Sequence, residues 1–359
     1  MQRAVSRTST WVANVGAGLV ALASMGCGGA PAQRTTPERV AVAASQPVWQ
    51  RSPLALLPQD AIVLVHVDGR QLRASPWFAP VSAMVRETMP DDGQQFVALA
   101  GALDEAWIAL REPERGTRAE QIVFVARGAN LESAARASIA TSLGQASAIE
   151  RDGVTAWEAA SGADSLRVLR FDASTWAGAL GGEAEDLLAR ARVTASADPL
   201  AGAGLAALAA QTGWATAPIA AVARVTPGLR RSVSAERVGL STLVEAERLA
   251  LRVDPSRGLV ADLTAEYADA DGAGRASDEI TGVVSRYASN PMVALMGFSD
   301  ILARIAVRTN AARVAVRVSL TEDEVRTLLE RFGPIVGAAL VTRDVGASAS
   351  DAVHVAVAP

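Results

Sequence analysis

The sequence predicts an α+β fold: a mainly antiparallel sheet built from repeated strand–strand–helix units, with helices on one face. Three observations carry that prediction. Arg248-Leu249-Ala250-Leu251-Arg252-Val253 recurs as Arg304-Ile305-Ala306-Val307-Arg308-Thr309, and alternation of this kind is a strand signature. Each copy runs into a turn, Asp254-Pro255-Ser256-Arg257-Gly258 in the first and Asn310 with the alanines after it in the second, so each opens a hairpin. Each hairpin leads to an apolar stripe at helical spacing, first Ile280, Val283, Val284 and Tyr287, then Val325, Leu328, Leu329 and Phe332. Hairpin followed by helix, twice over, gives antiparallel neighbours with helices packed on the sheet.

Taken in order, residues 1–26 read as a signal peptide. Arg3 and Arg7 stand in an acid-free start, and Trp11 to Ala23 is apolar apart from Asn14. That segment is shorter than the roughly 20 residues a bilayer span needs. Leu22-Ala23-Ser24-Met25-Gly26-Cys27-Gly28-Gly29 follows, with the only cysteine of the chain. This stretch resembles the lipobox of bacterial lipoproteins. Gly26 and Cys27 match it, while Ser24 stands where Leu is commonest and Met25 where a smaller residue is usual. The resemblance implies cleavage before Cys27 and lipidation of Cys27, and Gly28 after the cysteine implies sorting to the outer membrane. The alternative is an ordinary secretory signal, cut after Ala23 or near Ala32, leaving a free thiol. Residues 27–52, rich in Ala, Pro, Thr, Gln and Ser, read as a flexible tether.

Residues 53–228 form an N-terminal α+β half. Ala61–Asp68 is a strand by its β-branched content, and Ser75-Pro76 reads as a cap and first turn of a helix whose apolar face is Trp77, Val81, Met84 and Val85. Leu57-Pro58-Gln59-Asp60, the strand ending in Val67-Asp68, and Leu72-Arg73-Ala74-Ser75-Pro76 together resemble lipoproteins of GC-rich, myxobacteria-like genomes that carry no assigned activity. That resemblance implies architecture and address only. Further strands are predicted at 105–110, 121–126, 154–159, 166–171 and 218–225. Helices are predicted after Asn130 and across 183–192, 200–211 and 229–245. Residues 229–345 form the C-terminal half with the two repeats, the second helix opening on a capping box from Thr321 to Glu324 and stopping at Gly333-Pro334. Residues 346–359 form a tail in which Val353–Val357 reads as an edge strand.

Composition narrows the chemistry. All 34 basic residues are arginine, as GC-rich codon usage produces, and the net charge of −4 gives no reason to expect nucleic acid. Two histidines and one cysteine fall short of the usual zinc sites. Gly239-Leu240-Ser241 and Gly297-Phe298-Ser299 miss the nucleophile-elbow pattern, so His66 and His354 have no triad around them. Without lysine, the glycines at 178, 181 and 182 make no Walker loop. The acids at Glu183-Glu185-Asp186 and Glu322-Asp323-Glu324 open predicted helices and complement their dipoles. The tryptophans of the body, Trp77, Trp107, Trp157, Trp176 and Trp214, together with Trp49, fill a core or present a glycan-binding row. No catalytic residue, metal or cofactor is assigned.

Alternation places Arg304, Arg308, Arg313 and Arg317, with Arg248 and Arg252, on the face opposite the apolar residues. Such a face is a basic patch for anionic lipid or an envelope polymer, or a solvated face whose partners are Asp262, Thr264 and Glu266. The sequence therefore leads to a lipid-anchored cell-envelope protein, facing the periplasm or the cell surface, with a non-catalytic binding or structural role. Two alternatives stay open: a hydrolase-type enzyme with an unrecognised site, and a soluble periplasmic binding module.

Overall fold

The computed structural model describes residues 52–89, 93–112, 121–143, 148–151, 154–159, 166–180, 183–192, 198–232, 241–295 and 297–331. The lipobox, the tether before Ser52 and the tail lie outside them. A 3-10 turn, Pro53–Leu56, leads into β1 (Val63–Asp68), α1 (Gly69–Ala74), α2 (Phe78–Thr88) and α3 (Gly93–Ala102). The hairpin β2 (Glu105–Arg111) and β3 (Gln121–Arg127) precedes α4 (Leu131–Leu143). Four strands follow, β4 (Ala148–Arg151), β5 (Val154–Ala159), β6 (Leu166–Arg170) and β7 (Thr175–Leu180), then α5 (Glu183–Arg192), α6 (Pro199–Gly202) and α7 (Ala206–Gln211). After β8 (Ile219–Arg224), α8 (Pro227–Ser232) and a 3-10 turn, Thr242–Glu245, come the repeats. The first is β9 (Arg248–Asp254), β10 (Leu259–Glu266) and α9 (Ala270–Ala288), continued by α10 (Pro291–Leu295) and α11 (Ser299–Ala303). The second is β11 (Ala306–Asn310), β12 (Arg313–Leu320) and α12, residues 322–331.

Nine strands pair in the order β4-β5-β6-β7-β3-β2-β1-β8-β9, and β10-β12-β11 pair beyond them. β10 turns back from β9 through Gly258, whose φ of +94° only glycine adopts without strain. At the open end of that hairpin the Glu247 N–H donates to the Glu266 carbonyl at 2.7 Å. Among the described residues the paired strands run antiparallel, so the α+β class with a mainly antiparallel sheet is what the residues build. The two strand–strand–helix units are also present, and Thr321 and Glu324 make the reciprocal bonds of a capping box at 2.7 and 3.3 Å.

Side-chain alternation divides the core in two. Leu64, Trp107, Val123, Val125, Ala177 and Val222 point to the front, under the first 3-10 turn, α5, α6 and α7. Ile108, Ile122, Trp157, Val168 and Trp176 point to the back, under α4, and the back of the repeat end is covered by α1, α2, α12 and α9. Helices thus lie on both faces of the N-terminal strands and on one face of the repeats, because Leu187, Leu188, Leu205 and Leu208 supply a second apolar layer in front.

Three expected elements shift, among them the helix expected over 229–245, of which the described residues hold the end of α8 and the 3-10 turn Thr242–Glu245. Ser75 ends α1, its hydroxyl donating to the Leu72 carbonyl at 2.7 Å, and the next helix begins at Phe78. The helix expected over 200–211 is broken by Gly204 at φ +69° into α6 and α7. β4 and β7 are strands that the sequence reading leaves out.

Candidate binding site

An apolar opening lies behind the sheet where α2 and α3 arch over β1 and β8. Asp68 caps α1 by accepting from the Gln71 N–H at 2.9 Å. Arg73 reaches from α1 to the Leu103 carbonyl and to Asp104 at 2.7 Å, which fixes the end of α3 against α1. Phe78, Val81 and Val85 recur on one side of α2, facing Phe96, Val97 and Ala100 of α3. Val67, Ile219, Val253 and Leu259 make the floor, and Val325 and Leu329 of α12 close one wall. The enclosed cavity is about 90 Å³.

Its chemistry is uniform. Among the described residues no ionisable side chain lines it, and the polar side-chain groups on the wall are the Ser75 and Ser82 hydroxyls and the Trp77 ring N–H. Ser75 is spent on Leu72, and the Trp77 Nε1–H donates to the Gly258 carbonyl at 2.8 Å. An apolar cavity stays dry and takes an apolar guest; one of about 150 Å³ admits benzene. At about 90 Å³ this space is too small for a ring system and admits a few methylene groups of a chain.

A second, polar cleft of about 400 Å³ opens at the ends of β2, β3 and β7, lined by Arg70, Asp104, Glu105, Arg127, Asp172 and Ser174. Its acids are already engaged. The Asp104 carboxyl is held below its ordinary value by the hydrogen bond from Arg73, helped by the Ala129 N–H. Asp172 accepts from the Ser174 N–H and hydroxyl and the Thr175 N–H at 2.7, 2.9 and 2.7 Å. Burial pushes the Arg127 guanidinium down, against opposing pulls from Glu105 and Asp172.

The residues singled out from sequence fall as follows. Cys27, His354 and Phe332 lie outside the described residues. His66 lies in neither cavity; it is buried in front, its ring stacked on Trp107 at 5.6 Å and its Nδ1 3.2 Å from the Trp214 carbonyl. The five tryptophans of the described body are all buried, which makes them core. Register puts Arg308, Arg313 and Arg317 on the open front of the repeats, opposite Val307, Val314 and Val316. Arg317 pairs with Asp262 at 3.3 Å, and Arg313 and Arg248 both hold the buried Glu266 at 2.6 and 2.9 Å. Arg304 does not join this face. It is the residue after α11, where it bonds the Asp300 carbonyl at 3.2 Å and Glu324 of α12, because helix α11 runs up to Ala303 and delays the strand to Ala306. Among the described residues no group of three or more His, Cys, Asp or Glu could hold a metal ion. Among them, too, no helix is long and apolar enough to cross a membrane.

The sequence reading misses the apolar cavity. Its wall is drawn from β1, three helices after it, β8, β9, β10 and α12, so no local spacing reveals it. The only local hint is the wide apolar face over Trp77 to Val85.

No family model matches the chain, and no curated protein does. Among solved structures it is similar to crystal forms of TP0453. Form III has a TM-score of 0.46 at 10% identity, covering 79% of this chain and 97% of that one. Form IV has a TM-score of 0.45 at 10% identity, covering 80% and 98%, and form I a TM-score of 0.43 at 9% identity, covering 79% and 96%.

Proposed function

We propose that the chain is a lipid-anchored protein of the bacterial cell envelope, held by Cys27 on the outer membrane, whose body binds an apolar chain without transforming it. The observation that carries the binding role is the cavity under α2 and α3, whose described lining is hydrocarbon with no ionisable side chain. Acid–base and nucleophilic catalysis both need a titratable or activated group beside the bound molecule. A pre-formed apolar cavity is the usual setting for a hydrophobic ligand. The address rests on the charged start, the short apolar segment and the lipobox-like stretch around Cys27.

Two measurements test the two parts. Labelled palmitate is expected to enter the wild-type chain and not Cys27→Ser; equal labelling removes the anchor and leaves a soluble periplasmic module. Protein purified from the envelope and extracted with organic solvent is expected to yield an acyl compound near one per chain by mass spectrometry. A chain that is empty, and that also fails to take up a polyene fatty acid, would contradict the binding role.

A further inference from the structure

We propose that the helical knuckle formed by the C-terminal end of α9 together with α10 seats in the interfacial region of a phospholipid bilayer. Large apolar residues are exposed at few places in the described body: Ile149, Tyr287, Met292 and Leu295. Three of them fall between residues 287 and 295, with exposures of 54%, 66% and 82%. Contiguous exposed apolar surface of this kind marks an interaction site. The same stretch is stripped of charge. From Thr281 to Ser299 the only ionisable charge is Arg286, in a chain that is 20% charged.

The exposure follows from the fold. α9 has 19 residues and is therefore about 28 Å long. It packs over β10, β12 and β11, the last of which has five residues and ends the sheet. Ile280 is buried there and Val284 half-buried, but the stripe then runs on to Tyr287, which is exposed. The chain does not fray at that point. Asn290 accepts from the Met292 N–H at 2.9 Å, the Phe298 N–H donates to the Val293 carbonyl at 3.1 Å, and the Ser299 hydroxyl donates to the Ala288 carbonyl at 2.9 Å. Gly297, at φ +79°, turns the chain back into α11. Met292 and Leu295 are held outward on a hydrogen-bonded turn.

A bilayer fits this surface better than a protein does. From their exposures the three side chains offer roughly 400 Å², about half of what each partner of a stable protein interface buries. A small apolar projection needs only to reach the boundary between head groups and acyl chains. Arg286 precedes the knuckle, and the Arg331 guanidinium stands 3.9 Å from where a side chain on Gly297 would begin. Arg286 suits anionic head groups, and Glu279 and Asp300 are the acids that flank the knuckle in sequence. Resting on the Cys27 reading, the anchor joins the membrane to the body about 25 residues further along the sequence. It holds the body beside the membrane, where a contact too weak to recruit free protein becomes occupied. α12 carries Val325 and Leu329 on the cavity wall and Arg331 beside the knuckle, so a seated knuckle fixes how the cavity faces the lipid.

The test tethers the body without depending on lipidation. Cys27→Ser leaves the chain without a thiol, and a histidine tag in place of residues 1–26 binds vesicles of phosphatidylethanolamine and phosphatidylglycerol doped with nickel-chelating lipid. An NBD fluorophore is then attached at Leu295→Cys or, on the open sheet face, at Arg308→Cys. On tethering, the emission at position 295 is expected to rise about threefold and shift to the blue, and that at 308 to stay unchanged. Three results overturn the proposal: no response at 295, equal response at both positions, or a response at 295 that follows protein concentration without vesicles, which would mean self-association. Palmitate labelling of the wild-type chain tests the anchor separately, so the two readings fail independently.

Discussion

His66 offers a sharp test of how the sheet core is arranged. It lies on the central strand β1, 5% exposed, stacked on Trp107 and tilted against Trp214 at 6.0 Å. Nδ1 meets a carbonyl oxygen, so the neutral ring donates from that nitrogen and a second proton must enter at Nε2 inside the cluster. Burial pushes the pKa below the ordinary 6.5, outweighing upward pulls from Glu105, the Trp214 carbonyl and Asp68. The unfolded chain therefore binds this proton more readily than the folded one. The stability tied to the neutral ring is complete above about pH 6.5 and is lost progressively as pH falls below that value toward the folded-state pKa. In that window the slope for one proton cannot exceed about 1.36 kcal/mol per pH unit. His66→Gln keeps a donor for Trp214 and has no such proton. Urea unfolding of both proteins between about pH 7.5 and about pH 5 is expected to show the wild type losing more stability than the variant as pH falls. Parallel pH dependences, or a wild type that gains on the variant as pH falls, would refute the placement of a neutral imidazole in this core.

Other perturbations follow from the packing. A methyl group at Gly128 would meet the Ala102 carbonyl oxygen and the Asp104 backbone, neither of which can swing away, so Gly128→Ala should cost about 2–3 kcal/mol in thermal or urea unfolding. Gly101→Ala, in α3 with nothing within 4 Å of the new carbon, should be neutral or stabilise by about 0.5–1 kcal/mol. Glu266, 6% exposed between two half-exposed arginines, should cost about 1–2 kcal/mol as Glu266→Gln, less than a fully buried pair because the guanidinium groups can return to water. A double-mutant cycle with Arg313→Ala should return a coupling of about 1 kcal/mol.

The parts of the fold legible in sequence are those whose side chains announce their own periodicity. The repeat strands alternate leucine or valine with arginine, and the register pairs Arg317 with Asp262 and Arg313 with Glu266, the partners expected on the neighbouring strand. β7 is illegible for a physical reason. Its Ala177-Gly178-Ala179 centre is small because the Phe124 ring of β3 lies over Gly178, its register partner, so the bulk that marks a strand sits on the neighbour. The break between α6 and α7 turns on the backbone of Gly204 alone. The cavity is a property of the closed fold, and only Trp77 to Val85 shows its chemistry in advance. Arg304 shows the limit of reading by repeat: its copy in the first unit, Arg248, is in a strand, whereas Arg304 follows the inserted helices α10 and α11.

The central claim is that the cavity under α2 and α3 receives an apolar chain. Its most direct test is a titration of the purified, delipidated protein with cis-parinaric acid, read by polyene fluorescence, alongside Ala100→Phe, which places a ring in the cavity wall. The account predicts saturable binding near one per chain by the wild type and at least about tenfold weaker binding by the variant with its thermal transition retained. Equal binding by the two proteins would contradict it, as would no binding by either.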